Sequence, residues 1–173
     1  HLPVEIRLQD YREIDEKFDR IVSLGMFEHV GHKNYRTYMT CVARNLDPNG
    51  LFLLHTIGRN DRGTGIDPWV TKYIFPNSEI PSLTPVTEAF DNIFLLEDLH
   101  NFGPDYDRTL LAWFDNFDRN WARFAAQLPP TFYRMWKYYL LMFAGAFRAR
   151  HLQLWQLVLA PRNGAGTYAR PLR

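Results

Sequence analysis

At 173 residues the chain is long enough for one domain with its own core. Its net charge of +1 leaves no strong field to gather nucleic acid, which argues against a nucleic-acid partner. Aromatic residues make up 16% of the chain, enough to line a pocket as well as fill a core.

In chain order, residues 4–8 alternate Val, Ile and Leu with Glu and Arg and predict a short strand. Residues 18–25, FDRIVSLG, form an apolar, β-branched run closing on glycine, as a buried parallel strand does. Helical spacing follows over residues 35–45, and Asp47-Pro48-Asn49-Gly50 signals a turn. Residues 51–57, LFLLHTI, predict a second strand with His55 near its end. After a Gly, Asn and Asp-rich loop, Asp67 is placed to cap a short helix with Pro68 at its first position. Residues 93–96 predict a strand, and EDLHNFGPDYD a loop. Residues 109–126 carry an amphipathic pattern built on Leu110, Trp113, Phe114, Phe117, Trp121 and Phe124. A second long helix is expected over residues 131–150 and a last strand over 151–159.

The most apolar run, residues 138–147, falls far short of the ~20 residues that span a bilayer. Arg134, Lys137 and Arg148 flank it, which is compatible with contact at a membrane surface. The one cysteine, Cys41, excludes a disulfide framework within these residues and makes a reducing, cytoplasmic setting the expectation.

Strands alternating with helices predict a mostly parallel α/β sheet, in which ligands bind at the carboxyl ends of the strands. Glu28 follows one predicted strand, His55 ends the next and Tyr106 follows a third, so three pieces of chain are expected to meet on one rim. His29 and His32 have H-x-x-H spacing beside Glu28, but helical i, i+4 spacing, a cysteine partner and a third ligand are all missing, and no metal site is expected. Taken alone, His55 fits a satisfied core histidine better than a catalytic one.

Five ordered segments change that balance: GMFEHVG (25–31), LLHTIG (53–58), YIFPN (73–77), HNFGPDYDRTLLAW (100–113) and FRARHLQLWQ (147–156). Together they resemble the cyclopropane fatty acid synthases over nearly the whole chain. The resemblance implies the C-terminal portion of a Rossmann-like methyltransferase over residues 1–160, with residues 161–173 a loose tail. It also implies S-adenosylmethionine as donor, bicarbonate held in the active site, and unsaturated acyl chains of membrane phospholipids as acceptor. The bicarbonate ligands carried over are Glu28, His55, Tyr106 and the backbone amide of Ile57, with Glu28, His55 and Tyr106 catalytic. The family's pocket cysteine has no counterpart, since Cys41 lies outside the relevant motif. On the donor side the resemblance reaches Asp10, Tyr11, Leu24 and Gly25, while no Gly-rich donor-binding turn is present.

Five strands, the third to the seventh of such a fold, are therefore expected. The strand IVSLG would lack its usual neighbour, which predicts a piece of a longer enzyme, stabilised by an N-terminal part, by intermolecular strand pairing or as a homodimer. The cytoplasmic face of the membrane is the expected location, with peripheral contact. The tail arginines Arg162, Arg170 and Arg173 are a further candidate for headgroup contact. Two alternatives stay open: a related lipid or amine methyltransferase without ring closure, and a non-catalytic module that binds lipid or a partner.

Overall fold

The structure, a computed structural model, describes residues 2–63, 65–164, 166 and 168–171. Four strands form one mixed sheet in the order β1-β2-β4-β3, where β1 is Phe18–Leu24, β2 Leu46–Arg59, β3 Phe94–Asn101 and β4 Leu152–Pro161. β1 and β2 are parallel, and β4 runs antiparallel to both β2 and β3. The sheet is thus mixed rather than mostly parallel, because β4 inserts between strands that would otherwise be neighbours. β1, β2 and β3 nevertheless all run in the same direction, so their carboxyl ends share one rim.

The helices are α1 (Tyr35–Asn45), α2 (Pro68–Tyr73), α3 (Leu83–Phe90), α4 (Gly103–Asn120) and α5 (Phe132–Arg148). Successive strand residues face opposite layers, and β2 sorts its side chains accordingly. Phe52 and Leu54 are fully buried in a core shared with α1 and α3. Ile57, one position out of phase, packs into a second core with α4 and α5. β4 repeats the division, with Trp155, Leu157 and Leu159 in the first core and Leu154 in the second. Gly58 is required by this packing: a Cβ there would come within 2.1 Å of the Trp155 ring.

Several sequence expectations are corrected. Residues 4–8 form no strand; Val4, Ile6 and Leu8 are exposed at 69%, 94% and 108%. Alternation supports a strand only where a neighbour completes the ladder, and among the described residues none lies beside this segment. The sheet has four strands instead of five for the same reason. The turn signal at Asp47–Gly50 is absorbed into an irregular start of β2, where the pairing register shifts between Phe18 and Arg20 and Asp47 Oδ1 accepts from Asn49 N at 2.8 Å.

Sequence reading missed α3, which carries Pro85 in its first turn, where helix N–H groups lack intrahelical partners and proline is tolerated. α4 begins at Gly103 and not at residue 109, because Pro104 starts a helix in the segment read as loop. It also ends at Asn120, and 3₁₀ turns follow through Gln127. Of the tail, Pro161 completes β4 and the Tyr168 hydroxyl donates to Asp98 Oδ2 at 3.2 Å; Arg173 lies outside the described residues.

Candidate active site

Glu28 sits just beyond β1. Gly25 adopts φ +66°, a conformation glycine reaches without penalty, and turns the chain into a 3₁₀ turn over Phe27–His29. Phe27 is fully buried as the anchor of that turn, and Glu28 is only 7% exposed. Its Oε1 accepts the Ile57 backbone N–H at 2.7 Å. That amide is available because β1 ends opposite His55, leaving the next outward-facing N–H of β2 without a ladder partner. The amide that resemblance assigns to bicarbonate is therefore directed at the Glu28 carboxylate. The second oxygen, Oε2, is buried with no hydrogen-bond partner. A buried carboxylate oxygen without a donor is costly, and such an orphan marks a place where a ligand O–H or N–H completes the set.

A cavity of about 380 Å³ opens at this carboxylate. Gly25, Glu28, Ile57 and Tyr106 give it a polar end, and Val70, Leu110, Trp113, Trp136, Tyr139 and Phe143 supply apolar walls. Tyr106 lies in the first turn of α4, held edge-on by Trp113 and Phe147 at 5.9 and 5.0 Å. Burial first, and the negative charge of Glu28 second, raise its pKa. Its phenol therefore stays protonated as a donor. His29 also lines this cavity, whereas His32 pairs with Glu79 through Nδ1 at 2.9 Å. Among the described residues no group of three or more His, Cys, Asp and Glu is placed to hold a metal ion.

His55 is half-buried and is not among the residues lining that cavity. Its Nδ1 lies 3.1 Å from Gln156 Nε2. An amide NH₂ can only donate, so Nδ1 accepts and the neutral ring carries its proton on Nε2. Desolvation lowers the pKa of His55 and so favours the neutral ring, while the negative charge of Glu28 opposes that shift. From the sequence, Gln156 stands only as a residue of the last predicted strand and the FRARHLQLWQ motif. Its signal was positional: it is the cross-strand partner of both His55 and His100, a row visible only once β4 is known to lie between β2 and β3.

The donor-side residues separate. Tyr11 and Leu24 line a second cavity of about 510 Å³ along β1 and α1, together with Tyr38 and Cys41. Tyr11 packs edge-on to Tyr38 at 5.5 Å. Asp10 is not part of that lining. It caps the 3₁₀ turn Tyr11–Glu13 and pairs with Arg12, whose guanidinium holds its pKa down at about 2. Gly25 lines the first cavity, so the two cavities adjoin across the Leu24–Gly25 peptide.

The family model described as mycolic acid cyclopropane synthetase matches residues 2–157. A curated relative, the cyclopropane-fatty-acyl-phospholipid synthase of Escherichia coli, is 54% identical over 159 residues, covering 92% of this chain and 42% of that protein. A probable fatty acid methyltransferase of Pseudomonas putida is 30% identical over 97% of the chain and 45% of its own length. The chain thus spans less than half the length of these relatives. Among solved structures, the cyclopropane synthase MmaA2 from Mycobacterium tuberculosis superposes with a TM-score of 0.82 at 28% identity, covering 89% of this chain and 59% of that one. The mycolic acid cyclopropane synthase CmaA1, complexed with SAH and CTAB, gives 0.80 at 29% identity over 88% and 59%.

Proposed function

The chain belongs to the mycolic acid cyclopropane synthetase family, with an α/β methyltransferase fold matching cyclopropane synthase structures, and from that premise we propose that it forms the C-terminal part of an S-adenosylmethionine-dependent enzyme that converts cis double bonds of phospholipid acyl chains to cyclopropanes. The observation that carries the reading is the unpartnered Glu28 Oε2 at the polar end of an otherwise apolar, aromatic-walled cavity. The apolar walls fit an acyl chain, and water kept out of them cannot trap a carbocation.

The two adjoining cavities suit two substrates, with Tyr11 and Leu24 on the donor side and Glu28, Tyr106 and Phe143 on the acceptor side. S-adenosylmethionine would be held in the cavity lined by Tyr11 and Leu24, which adjoins the Glu28 cavity at the Leu24–Gly25 peptide. The double bond attacks that methyl carbon, the sulfur leaves as a neutral thioether, and a methyl proton must depart as the ring closes. Bicarbonate, when bound, supplies the general base for that proton. Within the cavity, Glu28 Oε2 would accept the hydroxyl of such an anion and Tyr106 would donate to it, whereas His55, outside that lining, would have to present its Nε2–H from β2. Aromatic faces of Trp113, Tyr139 and Phe143 stabilise the transient positive charge on carbon. No helix among the described residues is long and apolar enough to cross a membrane, and peripheral contact at the inner membrane face is the location proposed.

The test is to express the complete gene that encodes these residues and analyse phospholipid acyl chains by mass spectrometry. Chains heavier by one methylene and lacking the double bond are expected, and Glu28→Gln should reduce that product by ~10²-fold. Methyl-branched chains without a ring would assign the gene to simple methylation instead. Full activity of Glu28→Gln would remove the basis for the role of Glu28.

A further inference from the structure

The outer surface of α2 and α5 carries side chains that the proposed chemistry does not use. Val70 points inward and is 1% exposed, lining the catalytic cavity. On the outside of the same short helix, the Trp69 ring lies 4.6 Å from Tyr138 of α5 and 5.5 Å from Tyr73. Tyr73, Tyr138 and Leu141 are exposed at 47%, 52% and 36%. Three exposed cations, Lys72, Arg134 and Lys137, border these rings. Lys72 Nζ lies 5.0 Å over the Tyr73 ring and Lys137 Nζ 5.4 Å over Phe114. The groove between the two helices has Asp67 as the one acid among its described lining residues, and that carboxylate caps α2 through Trp69 N at 2.8 Å.

Amphipathic rings with basic side chains at their rim are what a headgroup layer accepts. Tyrosine and tryptophan settle at the apolar–polar boundary, and lysine and arginine are drawn to anionic lipid. We propose that the α2–α5 face is the surface by which this protein docks on an anionic bilayer. It rests on the lipid reading above and names where the lipid is met. Position supports it as well as charge: this face is the outer side of the helix whose inner side walls the cavity, so the width of α2 is the route an acyl chain would take from the docked surface to Glu28. A third cavity of about 320 Å³ lies along that route, sharing Val70 and Phe143 with the catalytic cavity and Asp67 and Met142 with the outer groove.

The experiment is co-sedimentation of the protein from the complete gene with vesicles of mixed phosphatidylethanolamine and phosphatidylglycerol. Arg134→Glu/Lys137→Glu is compared with Arg162→Glu/Arg170→Glu, an equal charge change on the exposed tail arginines. Each cation removed is expected to weaken binding about fivefold, so the α5 pair should lose ~25-fold or more, with the tail pair near the parent. Phosphatidylcholine vesicles should bind more weakly and distinguish the variants less. Undiminished binding by the α5 variant, or loss confined to the tail variant, overturns the proposal. A thermal melt checks folding, and Arg134→Gln/Lys137→Gln, expected to weaken binding less than the reversal, replaces it if the melt shifts. Sedimentation reads no product, so a parent that binds vesicles through α5 yet transfers no methylene would refute the function and still support this surface.

Discussion

The pairing of Gln156 with His55 makes a chemical demand that neither residue announces alone. Because the amide donates to Nδ1, the ring must be neutral for the contact to be favourable, and burial already lowers its pKa. A histidine whose folded pKa is depressed contributes stability that is present above its unfolded value of ~6.5 and lost as pH falls through the folded value, since the unfolded chain binds the extra proton first. Thermal unfolding followed through this window should show a midpoint that declines on acidification below about pH 6.5, with a shallower decline in His55→Gln. Gln156→Leu should lower turnover and also move the His55 titration, seen by nitrogen NMR of the imidazole. A lower turnover with the tautomer and titration unchanged would show that Gln156 is merely packing. Glu28, His55 and Tyr106 were grouped through the family resemblance; the structure brings Glu28 and Tyr106 to one cavity and leaves His55 within β2, outside its lining. Gln156 had no signal of its own, since its role depends on which strand lies beside β2.

Gly58 shows how an element's geometry can hang on one missing atom. Its place in β2 is opposite Gln153, yet the volume it leaves open is filled by the Trp155 ring, with three ring carbons within 2.5 Å of where a Cβ would stand. Gly58→Ala must therefore displace the indole from the core beneath α1 and α3, and a loss of about 1–3 kcal/mol is expected by denaturant unfolding. A stability loss under ~0.5 kcal/mol, in the range of an unconstrained surface change, would mean that the ring relocates freely. Element boundaries followed the strength of local signals. α1 was read from residues 35–45 and occupies Tyr35–Asn45, because its apolar spacing is regular and a turn signal follows. α2 was legible through the Asp67 cap and Pro68. α3 was hidden by the prolines around it, and the start of α4 by a glycine and a proline that look like loop but stand where a helix begins.

At the scale of the molecule, β1 is a paired strand on one side and an open edge on the other. Val22 and Leu24 are exposed at 57% and 63%, on the face that α4 and α5 leave uncovered. An apolar free edge is a template for another strand. The chain of these residues alone is expected to associate with rising concentration, and Val22→Lys should reduce that association in sedimentation velocity; a parent that stays monomeric at all concentrations would contradict it. The α/β class could be read from the sequence, and so could the common rim of strand ends. The mixed sheet could not, because strand direction is decided by which neighbours are available after the crossovers, and nothing local to β4 records that it enters between β2 and β3.

That insertion has a consequence for how the protein comes into being. β3 is hydrogen-bonded to β4 alone within the sheet, and β2 takes its second neighbour from a strand 101 positions downstream, as His55 and Gln156 show. During synthesis the ribosome delivers β1, β2 and β3 long before the segment that joins them. A nascent chain held at this stage offers two unfinished ladders and an unlocked His55, so the rim that carries His55 and the sheet mature in the same late event, after most of the domain has already left the exit tunnel.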